Sequence, residues 1–131
     1  MAAATQKVNH ASGGITPLGV FTITPGTPQN ILANTSLKST RYSMQCRQIG
    51  ISVSSTVAGE VYLNYGNFNG AGSGVPDTLA TVLIIQSGQC VSLPFGQRTS
   101  DGMIDATQYW LDGQTGKSCV VSVYLMDATN S

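Results

Sequence analysis

Charge is what this sequence has least of. Asp, Glu, Lys and Arg supply 9% of its 131 residues, against about 25% in an average soluble domain. Six acidic residues balance six basic ones. A nucleic-acid binder needs a basic face to displace counterions from phosphates. Here Lys7, Lys38, Arg41, Arg47, Arg98 and Lys117 are scattered. Only Lys38, Arg41 and Arg47 approach a cluster, and they read as a solvated rim. No nucleic-acid partner is expected.

Long apolar runs are also missing. No stretch approaches the roughly 20 residues of a membrane-spanning helix, so no membrane partner is expected. The opening MAAATQKVNHASGG holds no apolar core of signal-peptide length. The expectation is a chain made and kept in the cytoplasm, or one that leaves by lysis and not by secretion. Without a secretory signal, the sequon Asn34-Thr35-Ser36 reads as a chance match.

The side chains of catalysis are scarce. His10 is the one histidine, and a Ser-His-Asp or Cys-His site would have to recruit it from the N-terminal stretch. No G-x-S-x-G elbow occurs. Gly116-Lys117-Ser118 resembles the end of a phosphate-binding loop, but the first glycine of that motif would fall at Leu111. Gly70-Ala71-Gly72 lacks the third glycine of a dinucleotide site. Glu60, Asp77, Asp101, Asp105, Asp112 and Asp127 read as turn formers and solvated loop acids. A glycosidase-like pair including Asp101 or Asp105, or a calcium loop at Asp101, Asp105 and Asp112, is the functional alternative. Cys46, Cys90 and Cys119 are odd in number and sit in strand-like runs. They read as buried free thiols, and no Cys-x-x-Cys spacing suggests a metal. No enzyme activity and no cofactor are expected.

What the chain does have is strand alternation. Thr81–Phe95 carries two apolar runs, Val82–Ile85 and Cys90–Phe95, parted by Gln86-Ser87-Gly88-Gln89. The first is continuous and β-branched, as in a strand buried on both faces or a short core segment of either kind. The second alternates, with Pro94 at its end. Ser-Gly between them predicts a central β-hairpin.

Around it, Leu18–Thr24 alternates as a strand, followed by the turn Pro25-Gly26-Thr27-Pro28 and a short strand over Gln29–Ala33. Asn34–Tyr42 is a polar loop. Cys46–Ser54 places Ile49, Ile51 and Val53 on one face. Glu60–Tyr65 does the same with Val61, Leu63 and Tyr65, and these two segments predict a second hairpin across Val57-Ala58-Gly59. Gly66–Asp77 is a glycine-rich loop carrying Phe68, a common place for recognition on a rigid scaffold. Tyr109-Trp110-Leu111 is a strand ended by Asp112-Gly113. Ser118–Met126 is the last strand, and Asp127–Ser131 is a frayed tail. Residues 1–16, without periodicity, read as a flexible arm.

About eight strands near ten residues apart, with no helical period, predict an all-β fold. The domain is a single β-sandwich or jelly roll over residues 17–131, with an extended N-terminal arm over 1–16. Low charge with abundant Ser, Thr, Gly, Asn and Gln suits a surface held against other subunits. Tyr62, Tyr65, Phe68, Tyr109 and Trp110 could instead line a sugar-stacking face. If Tyr109 and Leu111 point inward, Trp110 points outward, toward a partner, a ligand or a covering loop.

A resemblance adds to this reading. Ile23-Thr24-Pro25-Gly26-Thr27-Pro28, Cys46-Arg47-Gln48-Ile49, Gly88-Gln89-Cys90-Val91-Ser92-Leu93-Pro94 and Tyr109-Trp110-Leu111-Asp112-Gly113 occur in this order. Together with a hydrophobic last strand, this series resembles the small β-sandwich virion proteins of tailed bacteriophages, over roughly residues 20–126. The Gly66–Asp77 loop lies outside the shared pattern. The resemblance implies a non-enzymatic structural protein, a capsid decoration or cement protein on the outer surface of the virion. Its partners would be the major capsid protein and itself, as a homotrimer that ties neighbouring capsomers together and stabilises the head. Lys7, Val8, His10 and Ile15 of the arm, with Phe68 and Trp110, are the candidate contact residues. The alternative is a tail or fibre component or a carbohydrate-binding adhesion module.

Overall fold

The computed structural model describes residues 14–32, 44–66, 79–93 and 104–130. These form eleven strands: β1 (Ile15–Thr22), β2 (Gln29–Asn30), β3 (Met44–Cys46), β4 (Gln48–Val53), β5 (Glu60–Tyr65), β6 (Ala80–Gln86), β7 (Cys90–Leu93), β8 (Ile104–Asp105), β9 (Tyr109–Gly113), β10 (Val120–Met126) and β11 (Thr129–Asn130). A 3-10 turn, Ala106–Gln108, joins β8 to β9. Every ladder is antiparallel. One sheet has the order β1-β10-β4-β7, a second β2-β9-β5-β6, and a small third β11-β3-β8. The chain is an all-β, sandwich-like domain.

Alternation explains which faces meet. In β4, Ile49, Ile51 and Val53 are buried, and in β10 so are Val121, Val123 and Leu125. Register sets them side by side: Val121 opposite Val53, Val123 opposite Ile51, Leu125 opposite Ile49. Val61, Leu63, Leu111 and Ile85 of the second sheet join them in one core. A fully buried aliphatic side chain contributes about 1.5–3 kcal/mol, so these facing rows are the main attraction between the sheets.

The two expected hairpins are not hairpins. β4 lies in the first sheet and β5 in the second; β6 lies in the second and β7 in the first. Both connections are arches that carry the chain from one sheet to the other. The physical reason is burial. Both runs on either side of each turn must face the same core, which two strands do when they approach it from opposite sides. Glycine still makes one of these turns, with Gly88 at φ 84°. The β9-to-β10 connection switches sheets in the same way.

Other expectations shift. Asp112 and Gly113 lie inside β9, and the turn falls after them, where the Lys117 N–H donates to the Gln114 carbonyl at 2.9 Å. Cys46–Ser54 is broken at Arg47, whose N–H donates to the Met126 carbonyl. Arg47 also reaches Asp127 at 3.5 Å. The start of the expected frayed tail is an ordered corner: Asp127 Oδ1 accepts from the Gly14 N–H at 3.1 Å, and Ala128 is fully buried. β1 begins at Ile15, so residues 15 and 16 belong to the sandwich and not to an arm. Within β1 the register slips between Pro17 and Gly19. Gly19 sits at φ 100°, and this bulge resets the alternation so that Leu18 and Phe21 both face the core.

On the outer side of the first sheet, Gly50 lies beneath Tyr124, its neighbour across the β4–β10 ladder. A Cβ on Gly50 would collide with Cε2 and Cζ of the Tyr124 ring. Gly50→Ala is therefore expected to destabilise by about 1–3 kcal/mol, as overpacking does. In a Tyr124→Ala background the same change should cost much less. Chemical unfolding of the four members of this cycle checks the coupling.

Candidate interaction surface

The β1-β10-β4-β7 sheet presents an outer face four strands wide. None of its four strands contains an Asp, Glu, Lys or Arg. Register lays out one row across it: Val20 opposite Ser122, Ser122 opposite Ser52, and Ser52 opposite Cys90. The next row pairs Thr22 with Val120, and the Ser54 N–H bonds the Val120 carbonyl at 2.8 Å. Between these rows runs an open groove of about 280 Å³, lined by Val20, Ser52, Ser54, Val120, Val121 and Ser122. Valine and serine side chains share its walls, three of each. Ser54 Oγ lies 3.0 Å from Thr56 Oγ1, and the Cys90 thiol donates to Ser52 Oγ at 3.3 Å. Such a face can meet another neutral surface without stripping water from a charge, which is the expensive part of forming an interface.

The second sheet has a different outer side. Trp110 does leave the core side of β9, as the alternation implies, but only 3% of it is exposed. Its Nε1 donates to the Gly66 carbonyl at 3.3 Å, and in register it lies between Asn30 and Asn64, which are themselves buried. The expectation of Trp110 as a surface contact is therefore corrected: the side chain is covered. The four described members of the expected five-aromatic sugar face do not share one side either. Tyr65 and Tyr109 sit opposite each other on the core side, rings edge to face at 5.3 Å. Tyr62 and Trp110 lie on the outer side. Burial raises the Tyr109 phenol above its usual range. For Tyr62 the first cause of its upward shift is the hydrogen bond it donates to Glu60 at 2.9 Å.

Of the other candidate contacts, Ile15 stands on the edge strand β1 with 55% of its surface exposed. Lys7, Val8, His10 and Phe68 lie outside the described residues.

Each described carboxylate serves the scaffold. Asp105 Oδ1 accepts from Thr107 N–H and Oγ1 at 3.0 and 2.7 Å, capping the 3-10 turn. Asp112 Oδ1 accepts from the Gly26 and Gly113 N–H groups at 2.8 and 2.7 Å. Glu60 takes Tyr62 and Gln86, and Asp127 takes Gly14 and Arg47. Asp101 lies outside the described residues, so the calcium-loop alternative is open at that position. Among the described residues no group of three or more His, Cys, Asp or Glu could hold a metal ion.

The cysteines split. Cys46 and Cys119 are buried and Cys90 is exposed, which corrects the uniform reading as buried thiols. Cys90 points outward because it shares the parity of Ser92, opposite the buried Leu93. Burial pushes the Cys46 thiol up to about 12, leaving almost no nucleophilic thiolate at neutral pH. A thiol-alkylating reagent at pH 7.5 is thus expected to modify Cys90 alone in the folded protein and all three cysteines after unfolding. Intact-mass and peptide mass spectrometry check this, and Cys90→Ser should abolish native-state labelling.

No protein-family model matches the chain, and neither a curated protein nor a solved structure matches it.

Proposed function

We propose that this chain is a non-enzymatic structural protein that acts by contact: a bacteriophage capsid decoration protein that binds the major capsid protein on the outer surface of the head. The observation that carries the reading is the charge-free outer face of the β1-β10-β4-β7 sheet, with its shallow groove of valine and serine side chains. The ordered motif series of the sequence supports the same class. The described carboxylates and the buried thiols hold turns and fill the core, which suits a protein that acts by surface contact.

The binding mechanism follows from symmetry. One neutral face gives modest affinity. Many copies on a symmetric lattice raise the effective concentration of each contact and multiply its effect without new chemistry. Residues 1–13 enter the fold at Gly14, beside the edge strand β1. On the capsid, this stretch would add main-chain hydrogen bonds to a strand edge.

Three measurements test this. The first is the copy number of the chain in particles purified from its source, by quantitative mass spectrometry. Hundreds of copies are expected; none at all would sink the reading, and a handful would move the protein to a tail or fibre. Deleting residues 2–13 should abolish attachment to stripped capsids while leaving the unfolding transition in place. Ser122→Lys, which puts a charge in the middle of the neutral face, should weaken attachment at least tenfold, or about 1.4 kcal/mol.

A further inference from the structure

Strand β6, Ala80–Gln86, closes one side of the second sheet, with no strand beyond it among the described residues. Its sequence is ATVLIIQ, with no charge and no proline. Val82 and Ile84 are each 49% exposed. Long apolar edges invite pairing with another chain, and proteins usually blunt them with lysine, proline, a bulge or shortness; of these devices β6 has only a bulge, at Val82. The other long edge, β1, carries Pro17 and the Gly19 bulge, and the edge strand β7 has four residues.

The main-chain geometry of β6 says where pairing is possible. Ser87 N–H donates to the Gly59 carbonyl at 3.0 Å, and Gln86 stands opposite Glu60 just beyond it. An antiparallel ladder alternates hydrogen-bonded and non-hydrogen-bonded pairs. The main-chain groups of Ile85 and Leu83 therefore turn toward β5, and those of Ile84 and Gln86 turn toward the open edge. Gln86 agrees with this: its N–H is already taken by Gln89 Oε1 at 2.8 Å. On the other side, the register slips between Leu83 and Thr81, leaving Val82 as the extra residue of a bulge. Ile84 is left as the regular edge position with N–H and C=O facing out.

We propose that β6 is a self-pairing edge, at which two copies of this chain meet antiparallel about a two-fold axis through Ile84. In that register each Ile84 exchanges two N–H···O bonds with its own copy. Leu83 falls opposite Ile85 of the second copy, and Val82 opposite Gln86. A shift by one residue would set the outward Ile84 against the inward Ile85 and turn the second sheet over. A shift by two would set it against Gln86, whose N–H is occupied, or against Val82 in the bulge. The occupant is a second copy because a two-fold contact needs a surface complementary to itself. β6 meets that condition: it brings no like charges together, and it offers a charged peptide nothing to pair with. A two-fold unit of this kind is a dimer, in place of the trimer that the virion resemblance implies.

Sedimentation velocity on the full chain across micromolar concentrations tests the pairing. The wild type is expected to dimerise. Ile84→Lys should be monomeric, its self-association at least tenfold weaker, with an unchanged circular dichroism spectrum and melting temperature. In a Cys90→Ser background, Ile84→Cys should form a disulfide-linked dimer under mild oxidation, because the residue on the axis faces itself, and Val82→Cys should not. A monomeric wild type, or an oligomer that survives Ile84→Lys, would overturn the pairing. A dimer cross-linked through Val82→Cys and not through Ile84→Cys would overturn it as well. Self-pairing is read on the free protein and capsid attachment on particles, so either can fail without the other.

Discussion

The fold depends on a belt of main-chain hydrogen bonds where the chain crosses between its two large sheets. Three connections cross there: β4 to β5, β6 to β7 and β9 to β10. They are bonded to one another as well as to their own strands. The Gly88 N–H donates to the Val53 carbonyl and the Val53 N–H to the Gln89 carbonyl, at 2.8 and 2.9 Å. Ser87 reaches Gly59, Gln114 reaches Glu60, and Ser54 reaches Val120. An arch leaves its turn outside both ladders, and a buried main-chain group without a partner costs about as much as a lost hydrogen bond. Joining the three arches at one end supplies those partners together. The Cys119 carbonyl extends the belt to Ile23 at 2.8 Å, which ties the segment after β1 to the same region.

This belt also explains which parts of the fold were legible in the sequence. Strand positions were, because alternation is a local property: Ile49, Ile51 and Val53 repeat every second residue, and so do Val121, Val123 and Leu125. Partnership was not. Ser87-Gly88 carries the same local signal whether the strands beside it pair with each other or part into two sheets. The difference lies in what each strand buries, and that is decided by residues far away in the chain. Val82–Ile85 illustrates the limit. A continuous apolar run reads as buried on both faces, yet only Ile85 is fully buried, while Val82 and Ile84 stand open at the sheet edge. Composition cannot tell an edge strand from a central one.

The surface readings divide along the same line. Trp110 leaves the core side of its strand, as parity alone implies, but the Gly66 carbonyl that receives its indole N–H lies 44 residues away. Exposure is a property of what covers a side chain, and the cover is not coded beside it. The same holds for Cys90, whose outward position follows from parity within β7 once that strand's register is known. Low charge, by contrast, was legible and has a structural address. The described charges sit at strand ends and corners, such as Arg47 with Asp127, or reach main-chain donors, as Asp112 reaches Gly26. The broad face of the first sheet has none.

That distribution sets two demands against each other. A neutral sheet face is suited to lying against another neutral surface, but a neutral chain has no net repulsion to keep its copies apart. Specificity then has to come from the edges, where unpaired main-chain groups decide which contacts close. β1 blunts its edge by proline and a bulge. At β6 the Gln89 side chain occupies one end and the Val82 bulge interrupts the other, which narrows the open main chain to the neighbourhood of Ile84. An edge narrowed to one residue accepts few registers. It cannot grow into a fibre, because one antiparallel pairing uses it up on both copies. Removing charge from the faces is tolerable in this fold because its edges are short, broken or limited to a single closed contact.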